Sequence, residues 1–122
     1  HGAPELVEAA EAKLRGEPVD PAVIRRAADA LRAMPGGEDI DTVVLACTHF
    51  PLLEEELRAA FGPDVSFVHG AQGIARQIAR LTQGQEYARQ VPDRALFTGT
   101  KDLSVSYAGA LARYGLTGGG LF

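Results

Sequence analysis

The single cysteine of this chain, Cys47, stands in the run Ala46-Cys47-Thr48-His49-Phe50-Pro51. A thiol, a hydroxyl and an imidazole on three successive residues offer three kinds of proton chemistry. A thiolate is a base and a nucleophile once its pKa is lowered. The Thr48 hydroxyl can bind a substrate carboxylate or amine. His49 can hold a bound group, or exchange protons with it, near neutral pH. A bland alternative stands beside this. A lone cysteine after an apolar strand is commonly a small buried core residue, and a histidine is as often a hydrogen-bonded structural group.

The elements around these residues favour a site. Residues 42–46 (TVVLA) form a β-branched run without polar alternation, which predicts a strand buried on both faces. Residues 52–61 predict an amphipathic helix with Leu53, Leu57, Ala60 and Phe61 on one side. Cys47 thus falls where a parallel strand ends and a helix begins, the place where open α/β sheets bind ligands. A helix N-terminus near Pro51 would lower the thiol pKa. The flanking glycines of a serine-hydrolase elbow are missing.

The same periodicity organises the rest. Residues 4–15 predict a helix carrying Leu6, Ala9, Ala10, Lys13 and Leu14, with Gly16 as its stop. Asp20-Pro21 starts a second helix whose face holds Val23, Ala27, Ala30, Leu31 and Met34. Residues 65–68 predict a strand, followed by a helix with Ile74, Ile78 and Leu81. Residues 84–93 are a polar connector, 94–98 a third strand, and 102–114 a last helix lined by Tyr107, Ala110, Leu111 and Tyr114. Residues 118–120 read as a loose glycine tail. Short strands alternating with helices predict an α/β fold with a parallel sheet.

Weaker features are given structural roles. His69-Gly70 is assigned to a turn, with the histidine half-exposed. Residues 70–73 lack the spacing and lysine of a phosphate loop. Residues 98–101 are assigned to a turn and helix cap, the run 54–56 to a solvated helix face, and Tyr107 and Tyr114 to core or rim.

Bulk properties exclude several classes. The chain has 122 residues, enough for one small domain, and 46% hydrophobic residues, enough for a core. A net charge of -4 with pI about 5.3 argues against nucleic acid and gives no polybasic membrane signal. No apolar run is long enough for a transmembrane helix, and no signal-peptide pattern opens the chain. One cysteine excludes a disulfide framework and a multi-cysteine zinc site, and fits a reducing cytosol. His1, His49 and His69 are too scattered to be metal ligands. A chain opening on His1 is expected to be a fragment or a processed piece.

The stretch 42–53, TVVLACTHFPLL, closely resembles the second catalytic-cysteine motif of glutamate racemases. HGAPELVEAAEAKLRG is similar to the family's segment upstream, FVHGAQGIARQIARL to its following strand and helix, and ALFTGT to its final strand. The resemblance implies two α/β lobes with substrate between them, the chain returning to the first lobe at its end. Residues 1–70 would then be the later part of the second lobe, and residues 71–122 the returning segment. It further implies that Cys47 is the second of two acid/base cysteines, that His49 acts with it and contacts substrate, and that Thr48 binds substrate. The implied reaction interconverts L- and D-glutamate in the cytoplasm for peptidoglycan synthesis, with neither metal nor pyridoxal phosphate. Two departures stand out. His69 replaces the usual aspartate, and the first-cysteine motif and the amino-terminal aspartate-serine-glycine strand are absent. The implied partners are therefore glutamate and a missing N-terminal half, with a homo-oligomer as a further possibility, and the chain alone is expected to be inactive. Two other readings stay open: a related racemase or decarboxylase of the superfamily, or a non-catalytic self-associating domain in which Cys47 is inert.

Overall fold

In the computed structural model the described residues are 1–88, 90–98, 103, 105–116 and 119–122. Two helices open the chain, α1 at Pro4–Leu14 and α2 at Pro21–Arg32. Each begins on proline, whose missing N–H costs nothing in a first turn. Asp20 caps α2 by accepting from the Ala22 backbone N–H at 2.8 Å. After α2, Gly37 packs so closely that an added Cβ would lie 2.3 Å from the Arg32 carbonyl oxygen.

Strand β1 (Thr42–Val44) pairs in parallel with β2 (Ser66–Val68), Val43 opposite Phe67. Bonds from Ser66 N to the Asp41 carbonyl (2.7 Å) and from Leu45 N to the Val68 carbonyl (2.8 Å) extend the ladder at both ends. The crossover holds a 3-10 turn at Phe50–Leu53 and then helix α3 at Glu54–Phe61. The predicted single helix is therefore split, its first turn tightened as helix N-termini often are. Leu53, fully buried, locks that turn into the core with Leu57 and Phe61. Leu6, Ala9 and Ala10 of α1 and Ile24, Ala27 and Ala28 of α2 complete the core with Leu45 and Val65. The alanines leave room for helices to approach. Arg32 lies over the Phe61 ring at 5.0 Å and donates to the Phe61 carbonyl at 2.8 Å, satisfying the end of α3.

Several expectations are corrected. The buried stripe of α2 runs through Ile24, Ala27 and Ala28, so Met34 lies outside it, 43% exposed. β1 is not buried on both faces: the helices cover the side of Leu45, and Val44 on the other side is 65% exposed. Helix α4 (Ala71–Leu81) forms as predicted, yet Ile74, Ile78 and Leu81 are uncovered. Among the described residues the predicted single sheet is two. β3 (Ala95–Phe97) pairs in parallel with β4 (Gly119–Leu121), so part of the expected loose tail is a strand. Backbone bonding needs no side chain, which is why a glycine run conceals a strand. Helix α5 covers Ala108–Arg113, shorter than expected. Residues 99–102 and 104, on which the turn-and-cap assignment and the start of the last predicted helix fall, lie outside the described residues. Gly70 is right-handed at φ -76°, so the turn there does not require glycine. Glu54 and Glu56 are not simply solvated: Glu54 pairs with Arg58 at 2.8 Å and Glu56 with Lys13 at 2.7 Å. No helix among the described residues is long and apolar enough to cross a membrane.

Candidate active site

The turn after β1 is closed by the backbone. Phe50 N donates to the Cys47 carbonyl at 3.2 Å, and Leu52 N to the His49 carbonyl at 3.0 Å. This curls Cys47 and His49 onto one side, with Cys47 Sγ 3.9 Å from His49 Nδ1. Thr48 between them is exposed. The other ring nitrogen, His49 Nε2, lies 2.8 Å from Glu11 Oε1. Glu11 reaches it because α1 packs its Leu6 and Ala10 side into the core and so lies against the 3-10 turn. The second carboxylate oxygen of Glu11 accepts the hydroxyl of Tyr107, just before α5. The Tyr107 ring stacks on Phe97, centroids 6.0 Å apart and planes at 26°.

The electrostatics follow this chain of contacts. Glu11 is held below its ordinary carboxylate range, first by the Tyr107 hydroxyl and then by His49. An ionised Glu11 can only accept, so His49 Nε2 carries a hydrogen. His49 is raised above its ordinary value, mainly by Glu11 and next by Cys47. Cys47 is lowered, first by the His49 backbone N–H and then by the His49 ring, with the Phe50 N–H adding to it. The mobile proton therefore lies between Sγ and Nδ1, and its removal from sulfur leaves a thiolate beside an imidazolium. That is the state a thiol needs to act as base.

Of the residues singled out in the sequence, the structure joins Cys47 and His49 directly and leaves Thr48 beside them at the surface. His69 lies elsewhere in the bonding: its Nε2 is 3.7 Å from Glu54 Oε2, and its Nδ1 accepts from Ala71 N at 3.3 Å. Glu11 and Tyr107 were missed. Glu11 sits beside the apolar stripe of α1 with nothing local to mark it, and Tyr107, assigned to core or rim, shows its role only once α1 is in place. Among the described residues no group of three His, Cys, Asp or Glu is arranged to hold a metal. A cavity of about 420 Å³ opens nearby, lined by Arg15, Leu52, Glu54, Ser106 and Arg113 among others, but not by Cys47 or His49.

No protein-family model matches the chain. A glutamate racemase of Sphingopyxis alaskensis is 55% identical over 117 residues, 95% of this chain and 44% of that protein. A glutamate racemase of Histophilus somni is 36% identical over 84% of this chain and 37% of that protein. The crystal structure of Escherichia coli glutamate racemase in complex with L-glutamate and the activator UDP-MurNAc-Ala superposes with a TM-score of 0.83 and 32% identity, over 99% of this chain and 46% of that one. The likeness extends over nearly all of this chain in both sequence and fold, so the chain belongs to the glutamate racemases, of whose length it spans under half.

Proposed function

We propose that this chain supplies one acid/base half-site of a cofactor-independent glutamate racemase, with Cys47 as the base, His49 as its proton partner and substrate contact, and Thr48 as a substrate-binding hydroxyl. The observation that carries the reading is the Cys47–His49–Glu11 array at a strand end, with its lowered thiol. Racemisation removes a proton from one face of the α-carbon and delivers one to the other. A lone base returning its own proton mostly retains configuration, so a second acid/base group on the opposite face is required. This chain has one cysteine, so the second group comes from the further length its relatives have. D-glutamate made this way serves peptidoglycan synthesis in the cytoplasm.

The division at residue 70 belongs to the same proposal: residues 1–70 in one lobe and 71–122 returning to the other. The pairing of β1 with β2 and of β3 with β4 supports it, since among the described residues no strand pairing crosses that point.

The test is α-proton exchange of L- and D-glutamate in D₂O. The chain alone is expected to give no racemisation. Extended to the length of its relatives it is expected to racemise both enantiomers, and Cys47→Ser in that longer protein to lose about 10²–10⁴-fold in rate. A Cys47→Ser protein with undiminished exchange from both faces would refute the assignment.

A further inference from the structure

We propose that Tyr107 is a positioning residue for the Cys47–His49 pair: its phenol fixes the Glu11 carboxylate, so the acid/base array is complete only when Tyr107 is seated against α1. Its catalytic meaning rests on the racemase reading, but its test does not.

Both oxygens of Glu11 are committed, Oε1 to His49 Nε2 at 2.8 Å and Oε2 to the Tyr107 hydroxyl. A glutamate held by one bond still rotates about its side-chain torsions. A bond to each oxygen fixes the plane of the carboxylate and aims it at the imidazole. Tyr107 is itself held from two sides. Its ring stacks on Phe97, and Arg15, which closes α1 and pairs with Glu17 at 2.8 Å, stands by the phenol as a positive charge. The charged and titratable groups facing the carboxylate are thus Arg15 with Glu17 behind it, His49 with Cys47 behind it, and Tyr107. Glu11 and Tyr107 are 96 residues apart, so this one bond ties the first helix to the C-terminal segment.

Removing the hydroxyl has two opposed effects on His49. A carboxylate that loses a donor becomes more basic and binds imidazolium harder. A carboxylate that loses its orientation binds it less. Glu11 keeps one-third of its side chain exposed, so water replaces the lost donor. The orientational loss is left, and it decides the sign.

The experiment is an NMR titration of the His49 ring in the whole chain, native and Tyr107→Phe, with Glu11→Gln as the reference for full loss of the carboxylate. The His49 midpoint is expected to fall by about 0.3–0.5 pH units in Tyr107→Phe, and further in Glu11→Gln. A midpoint that holds or rises in Tyr107→Phe overturns the proposal. A second measurement needs no change at Tyr107. Its phenol midpoint is expected above the ordinary value of about 10 in the native chain and lower in Glu11→Gln. A phenol that ignores Glu11→Gln overturns the proposal equally. Neither readout involves turnover, so a failed racemase assay would leave both intact, and a failed titration would remove only the role of Tyr107.

Discussion

At the scale of residues, the Glu11–His49 pair makes stability depend on pH in a definite window. Glu11 has its pKa lowered by folding, so its contribution is present above the unfolded value of about 4.5 and is lost as pH falls through the folded value. His49 has its pKa raised, so its contribution is full below about 6.5 and is lost as pH rises through the folded value. The pair therefore contributes most between those limits. Native minus Glu11→Gln stability, measured by urea unfolding across pH, is expected to be greatest near pH 5–6 and to shrink on both sides; a flat difference would count against the ion pair. The thiol gives an independent check. His49→Asn keeps the backbone N–H, the leading cause of the lowered Cys47, but removes the ring. The alkylation midpoint of Cys47 is expected to move up in this variant while staying below that of a free thiol. No movement would mean that the ring contributes nothing.

At the scale of elements, the site stands on the 3-10 turn that follows it. Leu53 is fully buried beneath that turn, so Leu53→Ala removes both contact area and fill, and is expected to cost about 2–5 kcal/mol. The Asp20 cap is worth less, and Asp20→Ala is expected to cost about 1 kcal/mol. Exposed Ile78 on α4 serves as the control, with Ile78→Gln expected within about 0.5 kcal/mol. Chemical denaturation of the three variants ranks them, and an inverted order would show that the core lies elsewhere. Gly37→Ala belongs with the costly changes, because its Cβ would strike a backbone carbonyl, which cannot move aside as a side-chain tip can.

At the scale of the whole molecule, apolar surface is distributed unevenly. The helices cover one face of the β1–β2 sheet, while Val44, Val68 and the Ile74–Ile78–Leu81 side of α4 are open. Open apolar faces and two-stranded sheets favour association. Light scattering across a dilution series is expected to show concentration-dependent self-association, weakened by Ile74→Gln with Ile78→Gln. A monomer at every concentration would contradict this.

Local pattern alone determined a good deal here. The Asp20-Pro21 start, the β-branched run before Cys47 and the helical spacing after it are each written in neighbouring residues, and they placed Cys47 and His49 on one strand-to-helix turn. The motif around Cys47 also pointed to the racemase family. What lies far apart in the chain was decided by packing. Glu11 meets His49 across 38 residues and Tyr107 across 96, contacts that exist only once the buried side of α1 has set its rotation against the turn. The same holds for β4, whose glycines carry no side-chain pattern and become a strand only beside β3. Which apolar faces are covered was also decided in three dimensions. Periodicity shows that a face is apolar, and only the neighbouring elements determine whether anything lies against it.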